Sequence, residues 1–112
     1  MSRDWLLFVQ DIIEAIETIQ NYTLNMNKSD FLKDNKTQDA VIRNLEIIGE
    51  AARSIPEEYK KNTPSIEWRK IIALRNILIH EYFGVSREIL WDIIDNKLSD
   101  LYTICNKTLL DE

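Results

Sequence analysis

The sequence predicts an all-α protein: an antiparallel bundle of four main helices joined by short helical turns. Three observations carry this. Apolar residues recur at steps of three and four along most of the 112 residues, no stretch alternates with period two long enough for a strand, and the breaks fall at Pro56, Pro64 and Gly84. A chain of this length holds one core, so residues 1–112 form a single domain. Hydrophobic residues make up 45% and charged residues 29%, which separates the chain from disordered sequences.

The first helix is carried by Trp5, Val9, Ile12, Ile16 and Ile19, with Gln10, Asp11, Glu14, Glu17 and Thr18 on the opposite side. From Asn21 to Lys36 the chain is polar around Phe31 and Leu32, as in a loop with one short turn pinned by those two side chains. Val41, Leu45, Ile48, Ala52 and Ile55 define the second helix, entered through Thr37 as N-cap and stopped by Pro56. Pro56, Glu57 and Glu58 start a connecting helical turn that ends at Asn62, Thr63 and Pro64. Ser65 is then expected to cap a helix running to about Phe83. Its apolar residues, from Ile66 through Trp68, Ile71, Leu74 and Leu78 to Phe83, leave hardly any polar face, which predicts a central position. Gly84 is its natural stop. Ser86 caps the last helix, with Ile89, Leu90, Ile93, Ile94, Leu98, Leu101, Cys105 and Leu109 facing inward.

Composition excludes several classes. Two glycines, Gly49 and Gly84, cannot form a Gly-rich phosphate loop or a dinucleotide fingerprint. One Cys and one His make neither an internal disulfide nor a four-ligand zinc site, and no cofactor is implied. A reducing cytoplasm suits this usage. Asp4 and Asp11 bracket a short apolar stretch, so neither a secretion signal nor a membrane span is expected. The net charge of −5 argues against general attraction to phosphate, although residues 36–87 carry nine basic and seven acidic residues and leave room for a local basic groove.

Arg75, Asn76, His80 and Tyr82 bring a cation, an amide, the one histidine and a phenol into eight residues where the period predicts core. They can be a helix end leaving the core, with Arg75 paired to Glu46 or Glu50 and His80 capping a carbonyl. They can also be a site. At about 100° per residue, Arg75 aligns with Tyr82 and Asn76 with His80, the two rows standing about 140° apart. One helix does not point all four at one ligand; two copies related by a two-fold axis do, which hints at a homodimer.

These residues, with their flanks, resemble the HepT-like toxins of the HEPN superfamily. That branch carries Arg, four residues, His, one residue and Tyr, matched by Arg75, His80 and Tyr82, with Asn76 as the polar residue after the arginine. The stretch Asn44 to Ala52, the pair Trp68-Arg69, the run His80 to Val85 and Trp91 are similar to the family's stretches in the same order. The likeness spans about residues 5–102. One departure is Leu98-Ser99-Asp100-Leu101, where the family often has Leu-Pro, and it touches a helix bend and not the motif.

The resemblance implies an HEPN-like fold and a metal-independent endoribonuclease acting as a homodimer on RNA. It also implies a MntA-type minimal nucleotidyltransferase antitoxin as partner. Cleavage needs a base for the 2′-hydroxyl, an acid for the leaving oxygen and a cation for the phosphorane. His80 suits proton transfer, Arg75 suits phosphate, and Asn76 can orient the imidazole or hold a phosphate oxygen. Tyr82 is either a half-buried aromatic at a helix end or the hydroxyl that the antitoxin adenylylates. The alternative function is a non-catalytic helical adaptor for a nucleotidyltransferase; a plain helical dimer with a structural motif is the third. Trp5, Trp68 and Trp91 read as packing residues and Cys105 as a small buried one. Glu46 and Glu50 read as partners for Arg43, Arg53 or Arg75, with Gly49 allowing close helix contact.

Overall fold

Seven helices and no strand run along residues 4 to 80 and 86 to 111, the residues described by this computed structural model. In α1 (Trp5–Tyr22), Val9, Ile12, Ile13, Ile16 and Ile19 are buried, the face its period picks out. Each such side chain contributes about 1.5–3 kcal/mol on burial. The short turn is α2 (Lys28–Leu32), closed by reciprocal bonds: Asp30 N–H donates to Asn27 Oδ1 at 2.8 Å and Asn27 N–H to Asp30 Oδ2 at 3.2 Å. It fully buries Phe31, whose ring meets Trp91 at 5.5 Å.

The centre of the fold is α3 (Asn35–Arg53), which packs against α1, α2, α5 and α6. Its cap is Asp34, three residues before the expected Thr37. Asp34 Oδ1 accepts from the Thr37 N–H at 2.9 Å and Oδ2 from the Thr37 hydroxyl at 2.7 Å. Thr37 occupies the third helical position, where its N–H is one of the unpaired donors that a carboxylate serves better than a hydroxyl. Those bonds hold the Asp34 carboxyl below its ordinary pKa, the backbone N–H of Thr37 most of all. Within α4 (Glu57–Lys61), Tyr59 lies between Trp5 and Trp68, at 5.2 and 6.0 Å between ring centres. All three tryptophans therefore pack, as expected.

Two further expectations need correction. The apolar helix, α5 (Trp68–His80), begins at Trp68 and not after Ser65, because turns from Thr63 to Glu67 bury Ile66 and place the Thr63 hydroxyl 3.0 Å from Trp68 Nε1. Nor is it central. Among the described elements α3 is the one it packs on extensively, and only Trp68 and Leu78 are buried. Apolar residues all round a helix need neighbours all round it. With one neighbour, Ile77 and Ile79 stay 42% and 44% exposed. Its expected end, Phe83 and Gly84, lies outside the described residues.

The expected last helix is two: α6 (Arg87–Asn96) and α7 (Leu98–Leu110), broken at Lys97 with φ −112°. The break lets α6 face α2 and α3 while α7 faces α1. Ser86 caps α6 as predicted, its hydroxyl accepting from the N–H groups of Glu88 and Ile89. Cys105 is fully buried, and burial pushes its thiol up to about 12. No helix of the described residues is long and apolar enough to cross a membrane.

Candidate active site

Arg75 sits midway along α5 on the side facing α3. The helices meet there because residue 49 is glycine. A β-carbon at that position would overlap Arg75 Cβ outright and lie 2.9 Å from Arg75 Cγ and 3.2 Å from the Ile71 carbonyl oxygen. The aliphatic stem of Arg75 thus crosses the bare backbone of α3, and its guanidinium emerges beside the next residue. There Nη2 meets Glu50 Oε2 at 2.8 Å. On the other side Nη1 donates to Asn76 Oδ1 at 2.9 Å. The third nitrogen, Nε, is buried with no acceptor among the described residues.

Of the partners open to Arg75 in the sequence, the structure selects Glu50, which also lies 3.7 Å from Arg53 Nη1. Asn76 turns to Arg75. His80, the last described residue of α5, is exposed, and among the described residues no hydrogen bond or ion pair joins it to Arg75 or Asn76. Five residues of helix put it about 7.5 Å farther along the axis and about 140° around it. One chain therefore brings Arg75 and Asn76 together and leaves the imidazole apart. Tyr82 lies outside the described residues. No group of three or more His, Cys, Asp and Glu placed to hold a metal occurs among them.

Sequence reasoning missed one contact that frames the site. Gln38, buried in α3, donates from Nε2 to the Phe31 carbonyl oxygen at 2.8 Å and accepts at Oε1 from Arg87 Nε at 2.6 Å. This ties the start of α6, beyond the tyrosine, to α3. A glutamine three residues before Val41 and seven before Leu45 lies on the core stripe of α3, and that placement was the available signal.

An all-helical domain with Arg and His five residues apart on a one-sidedly packed helix belongs, by fold and motif, with the small HEPN-like helical proteins. The comparisons with known proteins give the particular family. The profile of the ribonuclease HepT-like family matches residues 12–108. The chain belongs to this family, which is one of ribonucleases.

Among its relatives is a probable ribonuclease HepT of Thermococcus cleftensis, 46% identical over 101 residues that cover 90% of this chain and 92% of that one. A protein of Methanocaldococcus jannaschii, named as a candidate RNase, is 46% identical over 97 residues, 87% of this chain and 80% of its own. Another protein named as a candidate RNase, from Caldanaerobacter subterraneus, is 34% identical over 94 residues, 84% of each chain. No solved structure matches.

Proposed function

We infer that the chain is a toxin that cleaves RNA without a metal ion, as a homodimer whose paired α5 helices form one active site. The observation that carries this reading is the divided motif: a guanidinium held against α3 and an exposed imidazole turned away from it, in a family of ribonucleases. His80 takes the proton of the 2′-hydroxyl, whose oxygen attacks phosphorus. The bond to the 5′-oxygen breaks, and that oxygen takes a proton from the second imidazole of the dimer. The products are a 2′,3′-cyclic phosphate and a 5′-hydroxyl, with Arg75 neutralising charge on the phosphorane. Purified protein should cleave RNA in EDTA and leave these ends. Cleavage that requires Mg²⁺, or that leaves 5′-phosphates, would overturn the mechanism. No cleavage, with the protein bound instead to a nucleotidyltransferase, would favour the adaptor, the function that a net charge of −5 suits.

The dimer is supported by what α5 leaves uncovered. Ile77 and Ile79 are part-exposed, and a groove of about 470 Å³ lies beside Ile77, lined by Leu45, Ile71, Leu74, Ile77, Ile93 and Leu101 among others. A second copy of α5 would cover this surface and bring the Arg75 row of each chain toward the His80 row of the other. Light scattering at micromolar concentration should give twice the mass of 13.2 kDa; a stable monomer sinks the paired site.

Control by a MntA-type nucleotidyltransferase antitoxin is placed on Tyr82. The Tyr82 oxygen would attack the α-phosphorus of ATP, pyrophosphate would leave, and the phenolic proton would pass to a base of the transferase. AMP there brings a phosphate diester and a base to the place where RNA must bind. Two rival hydroxyls are already engaged. Tyr59 is half-buried and 2.7 Å from the Thr108 hydroxyl, with burial raising its pKa. Tyr102 donates to Glu17 at 3.0 Å, a bond that raises its pKa too. Tyr22 is exposed but stands at the end of α1, outside the motif. Incubation with the transferase, ATP and Mg²⁺ should add AMP mass to the peptide holding Tyr82 and silence cleavage, and Tyr82→Phe should escape both. AMP on Tyr22, Tyr59 or Tyr102 instead would remove Tyr82 from this role.

A further inference from the structure

Long cationic side chains on helices normally run out to water. Arg75 does the opposite. Its stem lies across Gly49, its side chain is 20% exposed, and it carries a buried Nε–H for which the described residues offer no acceptor. The guanidinium is held from two sides, by Glu50 at 2.8 Å and by Asn76 at 2.9 Å. Glu50 itself is 58% exposed, and an ion pair that open to solvent adds little to stability. Its effect falls on the direction in which the cation points.

We propose that Glu50 is a positioning residue for Arg75, fixing the guanidinium over Gly49 so that an RNA phosphate meets a cation already oriented. The inference rests on the reading that Arg75 acts on RNA phosphate. Gly49 supplies the room, Glu50 the anchor and Asn76 the second tether. In water a free arginine side chain samples many rotamers, and a site that must stabilise a phosphorane gains from a cation needing no rearrangement as charge develops. A carboxylate this close also competes with phosphate for the same cation. Placement and competition therefore predict opposite signs when the charge is removed.

The test compares the full-length wild type with Glu50→Gln, Glu50→Ala, Arg53→Gln and Arg75→Ala. Each is assayed by RNA cleavage kinetics, and those that keep Arg75 also by nitrogen-15 NMR of its side chain, with Arg75→Ala assigning the signals. Loss of the anchor should lower kcat by about 10- to 100-fold, the range of lost supporting contacts, with KM little changed and melting unaltered. The separate Nη signals of a locked guanidinium should merge as rotation becomes free. Arg53→Gln, which removes the longer exposed pair, should match wild type in both measurements. Wild-type kcat in Glu50→Gln with Arg75 still locked overturns the proposal, and so does faster cleavage, which would make Glu50 a competitor of the phosphate. A wild type that cleaves no RNA would refute the nuclease reading instead, leaving the NMR arm to decide whether Glu50 holds Arg75.

Discussion

Replacing His80 with alanine should lower kcat for RNA cleavage by about 10²- to 10⁴-fold, the usual contribution of a positioned proton-transfer group, and should relieve toxicity in cells. Helix content, melting temperature and dimer mass should stay at wild-type values. The separation of effects follows from where the side chain lies. His80 is exposed at the end of the described part of α5, so removing its ring opens no cavity and breaks no described hydrogen bond. Circular dichroism beside the cleavage assay checks both halves. If the variant melts, the histidine is a structural cap of its helix; if it cleaves RNA at the wild-type rate, the proton donor and acceptor must be sought elsewhere.

Gly49→Ala should destabilise the fold by about 1–3 kcal/mol, the range for forcing a methyl group into packed space, and should depress cleavage further than the lost stability explains. Two effects oppose each other here. Alanine is a better helix former than glycine by about 1 kcal/mol. Against that, the added carbon would clash with Arg75 Cβ, which cannot swing away as the end of a flexible chain does, so α5 must back off from α3. The overlap wins, and because it falls on Arg75 the cost reaches the site. Urea titration beside cleavage kinetics measures both. A variant as stable and active as wild type would show that the helices can separate there at no cost.

The helical period was enough to place α1 and the body of α3, Phe31 and Leu32 in a polar stretch marked the turn at α2, and the glycine itself forecast the close contact at residue 49, because each depends on residues near one another in the chain. It misled where a longer-range fact decided. The continuous apolar surface of α5 reads as a buried centre, yet a period records how much surface is apolar and not how many neighbours arrive to cover it. Likewise the inward residues from Ile89 to Leu109 are equally good for one helix or two. The turn at Lys97 is set by which partners each half meets, α2 and α3 or α1. In the site, charge alone left Arg75 with Glu46 or Glu50. The choice came from the path of its stem over residue 49, which also leaves Nη1 at 2.9 Å from Asn76 Oδ1.

The one-sided seating of α5 also bears on how the molecule opens. An element leaning on a single neighbour can detach while α1, α3 and the C-terminal helices keep most of their buried contacts, so its opening free energy lies below that of the whole fold. Backbone amides of Ile71 to Ile79 should therefore exchange with deuterium ahead of those of Ile12 to Ile19. Whatever covers the outer side of α5 will slow that exchange selectively, making isotope uptake in this one peptide a gauge of occupancy.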